Sequence, residues 1–480
     1  MEYQRYGLFV GGEWRQPLEN GRYEIMNPAT EELIGLAPQA AAKDVAAAVD
    51  AAVPGMAAWR ALSTWQRSDV LRRIAGLLRE RVQPIATQIA LETGKPLPQA
   101  KGEVMGSAEQ FEWFADEARR IFGRVIDSRL AASRHYVQFQ PVGIAAAFTP
   151  WNFPVALAAR KIAPALAAGC AVICRGAEEA PGAAMLLVEC CKDAGVPAGA
   201  ISLLNGRPAP ITDAIMADDR VRKISFTGSV RVGKILAAAA AATLKRVTME
   251  LGGHSPVIVM NDADVTEAAR LSAAAKFRNC GQICISPTRF FVFEDSMKHF
   301  ISEFCDAAKA IRIGNGLDDN IDMGPLATRT RLETVDGLVQ DAIGKGAQLV
   351  MGGCRAPGFK KGHFYAPTVL ANVPGHARAM TEEPFGPLAL VNPVKSLDEA
   401  LKAANDVEFG LSAYAFTRSL KNADAIAQGL EAGMVSINSF APVMAEVPFG
   451  GVKSSGYGRE GGELGTRDFL ETKSITVKFE

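Results

Sequence analysis

The sequence predicts an α/β protein built on parallel, doubly wound sheets, and two observations carry the prediction. From Ile144 onward, short apolar runs alternate with stretches of helical spacing, the pattern of strands joined by crossover helices. After Pro256 the alternation restarts, which points to a second α/β domain. A chain of 480 residues has room for about two or three domains.

The elements follow in chain order. Phe9 to Leu36 is turn-rich and short-stranded, punctuated by Gly11-Gly12, Asn20-Gly21 and Asn27-Pro28. Ala40 to Trp59 is alanine-rich with helical spacing. Ser63 to Thr93 reads as helix, with Val70, Leu71, Ile74, Leu77 and Leu78 on one apolar stripe, and Thr93-Gly94-Lys95-Pro96 ends it. A further helix is expected from Glu103 to Phe122, and Tyr136 to Gln140 alternates like a strand. The doubly wound pattern then gives strands at Ile144–Phe148, Ala171–Cys174, Ala200–Leu204, Val221–Phe226 and Arg246–Leu251. Helices are expected after Pro154 and over Pro181–Ala194, Ile211–Ala217 and Val232–Ala242. Beyond Pro256, strands fall near Val257–Met260, Phe290–Phe293, Leu388–Val391, Ala413–Phe416 and Met434–Ile437. The tail Ser474 to Phe479 alternates as a strand that either pairs with another subunit or completes its own domain's sheet. Sheets of this class bind ligands at the C-terminal ends of their strands, beside helix N-termini.

Composition narrows the function. Hydrophobic residues make up 48% and charged residues 22%, as in globular proteins, and the formal net charge is zero. Nothing therefore points to a nucleic-acid or membrane partner. The N-terminus shows no secretory pattern, so a cytoplasmic location and reduced thiols are expected for the eight cysteines. Cys170/Cys174, Cys190/Cys191 and Cys280/Cys284 form no paired C-x-x-C clusters and the five histidines are scattered, so no metal site is expected.

Four stretches carry chemistry. Phe277-Arg278-Asn279-Cys280-Gly281-Gln282-Ile283-Cys284 sets two cysteines four apart, each readable as a buried small hydrophobe, a metal ligand or a nucleophile. Phe226-Thr227-Gly228-Ser229, with Gly233 following, ends a strand and opens a helix. Backbone N–H groups there are able to cradle a pyrophosphate, although an ordinary strand–helix turn reads the same way. Glu250, at a strand end before Leu251-Gly252-Gly253, is either a solvated residue or a base for a water. Asn152, held between Pro150 and Pro154, is either a turn residue or an oxyanion donor.

Together these stretches resemble the aldehyde dehydrogenase superfamily over essentially the whole chain. Val10-Gly11-Gly12-Glu13-Trp14, Asn27-Pro28-Ala29-Thr30, Thr149 to Pro154, Phe226 to Ser229, Glu250 to Gly253, Asn279 to Cys284, Glu383-Pro384-Phe385-Gly386-Pro387, and Pro448-Phe449-Gly450-Gly451 with Gly458-Arg459-Glu460 keep the family's order and spacing. The resemblance implies a Rossmann-like NAD(P)-binding domain over 1–122 and 141–250 and an α/β catalytic domain over 251–440. A small β oligomerisation element over 123–140 and 460–480 completes the implied fold, with a homodimer or homotetramer as the assembly.

The resemblance also implies roles. Cys284 is the expected nucleophile, Asn152 the oxyanion donor, Glu250 the base for hydrolysis of a thioester, and Lys161 a proton-relay lysine near the cofactor ribose. Cys280 is expected to be a packing neighbour. Ser229, beside Gly228 and Gly233, would meet the pyrophosphate. Glu383 and Phe385 would hold the nicotinamide ribose and ring, and Thr149, Pro150, Trp151 and Leu251 would line the cofactor pocket. Arg175-Gly176-Ala177-Glu178 departs from the family's usual Lys-Pro-Ser/Ala-Glu. Glu178 favours NAD by repelling a 2′-phosphate, whereas Arg175 would either pair with Glu178 or attract that phosphate. NAD is the expected cofactor, with NADP the alternative.

Within the family, the stretch around Trp113 and the arginines Arg160 and Arg278 resemble succinate-semialdehyde dehydrogenases, where such arginines meet a distal carboxylate. The alternative for each arginine is a structural salt bridge. The subgroup's serine before Pro448 is absent. Val443 and Met444 make that wall more apolar and leave room for a longer aldehyde. The expected substrate is thus a semialdehyde such as succinate semialdehyde. An aromatic or aliphatic aldehyde is the rival, and a non-catalytic relative is opposed by the intact Cys284, Glu250 and Asn152.

Overall fold

The parallel strands gather into two open sheets in this computed structural model, which describes residues 3–441 and 443–479. In the first sheet, Ile201–Leu204, Ala171–Arg175, Ile144–Phe148, Val221–Thr227 and Arg246–Glu250 lie side by side in that order, all parallel. The leading strand, Ile144–Phe148, is thus central, and the strand order reverses between it and Val221–Thr227. That reversal is where an open α/β sheet leaves a crevice for a ligand. Short antiparallel strands close both edges, Leu8–Val10 with Glu13–Arg15 on one side and Gly456–Tyr457 on the other. Ile144–Phe148 and Ile201–Leu204 are buried along their whole length, as strands covered by helices on both faces require.

The second sheet runs Gln348–Met351, Thr368–Ala371, Leu388–Val394, Pro287–Phe293, Ser255–Val259, Ser412–Phe416, Met434–Ile437, parallel except at its first edge. Both expected α/β units are therefore present. Among the described residues, no single helix is long and apolar enough to cross a membrane.

Two helical expectations are corrected. The stretch Ser63 to Thr93 is two helices, Thr64–Glu80 and Val82–Thr93. Pro84 explains the break, because its ring would collide with the Glu80 carbonyl in a continuous helix. The helix expected from Glu103 to Phe122 runs instead from Leu97 to Ala118, starting just after Pro96. The C-terminal strand Leu470–Lys478 pairs antiparallel with the chain's own Ser133–Pro141 over nine residues, and Arg124–Asp127 adds a third strand. This three-stranded arm is largely exposed and carries Phe122, Val125, Ile126 and Leu130 in the open. Residues Gly462–Arg467 do not join it. They form a short helix against Leu97–Ala118 and Ala156–Ala168.

Candidate active site

The loop that carries Cys284 is held in a costly conformation. Helix Val265–Phe277 ends in a tight turn where Asn279, Cys280 and Gly281 have φ of 48°, 54° and 71°. A left-handed conformation costs a non-glycine residue roughly 1–2 kcal/mol. At Gly281 only glycine fits, since any side chain would run into the Gly386 carbonyl. Hydrogen bonds clamp the turn. Asn279 Nδ2 donates to the carbonyls of Asn152 and Gln282, each at 3.2 Å. Gln282 Nε2 donates to the Asn279 carbonyl, and its Oε1 accepts from the Ala327 N–H at 2.8 Å. The turn separates the two cysteines. Cys280 is 1% exposed in the core of the second unit, whereas Cys284 emerges half-buried at an opening between the units.

Asn152 faces that loop from the first sheet. Its Nδ2 donates to the Gln282 carbonyl at 3.0 Å, and its own carbonyl accepts from Lys95 Nζ at 2.7 Å. Lys95 is fully buried and paired with Glu103. The free oxygen of Glu103 accepts from the Val155 and Ala156 N–H groups, at the start of helix Ala156–Ala168. This buried pair thus holds both the backbone of Asn152 and the helix that carries Arg160 and Lys161.

Cys284 opens onto two cavities. One, of about 190 Å³, lies at the sheet's crevice and is lined by Pro150, Trp151, Asn152, Thr227, Gly228, Ser229, Leu251, Gly252, Arg331, Glu383 and Phe385. Its lining brings together Pro150, Trp151, Gly228, Ser229, Leu251, Glu383 and Phe385 of the expected cofactor set. Ser229 caps helix Val230–Ala242, so that helix's N-terminal N–H groups face the cleft, with Gly233 buried in the first turn. A side chain at Gly252 would push against the Glu383 carboxylate. Glu383 accepts from the Gly253 N–H at 3.0 Å, and burial raises its carboxyl to about 7. Trp151 and Phe385 meet edge to face at 5.6 Å. Thr149 turns in at the strand end, its N–H donating to the Arg175 carbonyl. The Arg175 guanidinium donates to the Gly206 carbonyl at 3.0 Å and stands 3.8 Å from Glu178, so of its two expected roles it takes the pairing one. Arg331 had no sequence signal. It donates to the Pro384 carbonyl and lies under the Phe385 ring.

Behind the thiol lies a buried cluster of charge. Lys161 Nζ donates to Thr227 Oγ1 at 2.6 Å and is paired with Glu460, which also accepts from Ser225 Oγ at 3.1 Å. Glu460 stood within a recognised glycine-rich motif but without a role. Glu250 is 2% exposed, and neither carboxyl oxygen has a hydrogen-bond partner among the described residues. Burial, then the Glu460 carboxylate, push its carboxyl well above the usual range, while Lys161 and Arg160 pull it back. Burial, with the carboxylates of Glu383 and Glu250, pushes the Cys284 thiol up to about 12, and Arg160 opposes the shift.

The second cavity, of about 270 Å³, lies on the other side of Cys284. Arg160 and Arg278 both line it. Arg160 is 7% exposed, with its guanidinium 4.5 Å from the Phe449 ring centre, and Arg278 lies 5.9 Å from the Phe153 ring centre. Neither arginine has an ion pair among the described residues, so the salt-bridge alternative is not what the structure shows. Met444 and Val443 line the wall as expected. Trp113 does not. It sits one turn beyond Gln110 on helix Leu97–Ala118 and packs on the core of the first unit.

A thiol set between a cavity at the sheet's crevice and a cavity lined by Arg160, Arg278, Glu103 and Glu109 fits a cysteine-dependent oxidoreductase site. The model of the aldehyde dehydrogenase family matches residues 14–475, and the chain belongs to that family. It is 43% identical over 466 residues to the 4-(hydroxymethyl)benzenesulfonate dehydrogenase of Comamonas testosteroni, covering 97% of both chains. It is 39% identical over 473 residues to the succinate-semialdehyde dehydrogenase [NADP(+)] of Escherichia coli, covering 98% of both. The solved structure of succinate-semialdehyde dehydrogenase from Burkholderia pseudomallei superposes with a TM-score of 0.97 at 39% identity, covering 99% of this chain and 98% of that one.

Proposed function

We propose that the protein oxidises an aldehyde with a distal anionic group to the carboxylic acid, using NAD. The observation that carries the substrate class is Arg160, a buried guanidinium that lines the cavity beside Cys284 without an ion pair among the described residues. Its guanidinium feels the Glu460 and Glu250 carboxylates but is bonded to neither, which leaves its donors for a substrate carboxylate or sulfonate. The names of the relatives agree in kind, since semialdehydes of dicarboxylic acids and a benzenesulfonate are both small organic anions.

The chemistry follows from the side chains. Cys284 Sγ loses its proton and bonds to the aldehyde carbon, giving a thiohemiacetal. The Asn152 amide and the Cys284 backbone N–H hold the oxyanion. A dinucleotide held beside Glu383 and Phe385 would supply the hydride acceptor for oxidation of the Cys284 adduct to a thioester. Glu250 then takes a proton from water, the water oxygen bonds to the acyl carbon, and the C–S bond breaks to release the acid. Lys161 and Glu460 act on Glu250 through their charges, and Lys161 is the group that would relay its proton. Glu178, beside the strand end at Arg175, favours NAD by repelling a 2′-phosphate, and Arg175 is already engaged with Gly206. The exposed apolar face of the three-stranded arm supports a homo-oligomer.

A panel of aldehydes with both cofactors tests the reading. Anionic aldehydes are expected to exceed neutral ones in kcat/KM, and Arg160→Ala and Arg278→Ala to remove the preference. Equal use of neutral and anionic aldehydes by the wild type overturns the anionic substrate class. A clear preference for NADP overturns the cofactor assignment.

A further inference from the structure

We propose that the substrate carries a flat ring between its aldehyde and its anion, and that Gly106 and Gln110 are the residues that select it. This rests on the anionic-aldehyde reading above and adds the spacer. The helix Leu97–Ala118 forms one wall of the cavity beside Cys284, with Gly102 and Gly106 on successive turns. A methyl group added at either glycine meets nothing within 4 Å, so packing within the protein does not require glycine there. Glycine inside a helix is nevertheless less stable than alanine. What the two positions provide is a wall set back from the cavity.

The next turn presents Gln110. It is 5% exposed, lines the same cavity, and its amide oxygen is buried without a hydrogen-bond partner among the described residues. A buried amide of this kind lacks a polar partner, and a terminal amide rotates readily to offer either its oxygen or its NH₂ group. Phe153, Leu157, Val443, Met444 and Phe449 line the same cavity. The same helix also brings Glu103, held by Lys95, and Glu109 to the cavity, and between them the missing side chain at Gly106 leaves room for a ring against the apolar and aromatic residues.

Size supports the ring. A cavity of about 150 Å³ accepts benzene. At about 270 Å³ this one holds a ring together with a carboxylate or sulfonate. A straight four-carbon semialdehyde would fill less of this volume.

The test uses the full-length enzyme with 4-carboxybenzaldehyde, benzaldehyde and succinate semialdehyde. The wild type is expected to favour 4-carboxybenzaldehyde over succinate semialdehyde by at least about tenfold in kcat/KM, the scale on which a pocket discriminates by shape. Gly106→Tyr is expected to cut that ratio by at least about tenfold, and Gln110→Leu to lower it less. A wild type that favours succinate semialdehyde overturns the ring proposal and leaves the anionic reading standing if both anions exceed benzaldehyde. If benzaldehyde matches 4-carboxybenzaldehyde and both fall in Gly106→Tyr, the ring slot stands and the anionic reading fails. Should Gly106→Tyr lose its fold, the wild-type ratio decides alone. A Gly106→Tyr enzyme that loses both anionic substrates alike also overturns the proposal.

Discussion

The side-chain amide of Asn152 donates to the backbone carbonyl of Gln282 over 3.0 Å. This bond joins the end of the first sheet's central strand to the loop that carries Cys284. It turns the amide nitrogen, not the oxygen, toward that loop, which is the orientation an oxyanion donor needs. Asn152→Ala is expected to lower kcat/KM by about 10²–10³, the range for losing one such donor. Steady-state and burst kinetics check it. A loss confined to KM would show that the amide acts only in binding.

The Lys95–Glu103 pair props Asn152 from behind. Removing one member of a buried pair leaves the other charge uncompensated, at a cost of about 3–5 kcal/mol. Glu103→Ala is therefore expected to lower stability to denaturant by that amount. Glu103→Gln, which is still able to accept from the Val155 and Ala156 N–H groups, is expected to lose less. Urea unfolding of the three proteins separates them, and equal stability of all three would remove the pair's structural role.

The thiol gives a pH prediction. With Cys284 pushed up to about 12, the neutral form dominates at pH 7 in the cofactor-free protein. A raised thiol pKa means that the thiolate fraction grows as pH rises, by about tenfold per unit while pH stays below the pKa. Inactivation by iodoacetamide is expected to accelerate by that factor for each unit, about a hundredfold from about pH 7 to about pH 9. A plateau within this range would contradict the buried, anion-flanked setting of the thiol.

Glu250 is assigned to deacylation alone. Glu250→Gln is expected to keep a burst of reduced cofactor and to slow turnover by about 10²–10⁴. Stopped-flow absorbance of the reduced cofactor reads both phases. Equal loss of burst and turnover would mean that the carboxylate also takes the thiol proton.

Much of this molecule is legible in its sequence because the relevant signals are local. Continuous buried runs such as Ile144–Phe148 and Ala171–Arg175 mark covered parallel strands, and glycines beside strand ends mark the turns where helices begin. The order of the motifs singles out Cys284 over Cys280, Asn152 at a strand end, and the two arginines. Other features depend on packing between distant segments. Lys161 meets Glu460 across 299 residues, and Lys95 reaches the Asn152 carbonyl across 57. No local period encodes such meetings, which arise only when segments distant in the chain pack together. Trp113 shows the same limit within one helix. Its phase matches Gly106 and Gln110, yet it lies about 10 Å along the axis from Gly106, past the end of the cavity. The sequence by itself determined the helix face. Where the cavity ends, which charges are buried together, and that the C-terminal strand pairs within its own chain were decided by tertiary structure, because burial and distance are properties of packed layers rather than of a repeat along the chain.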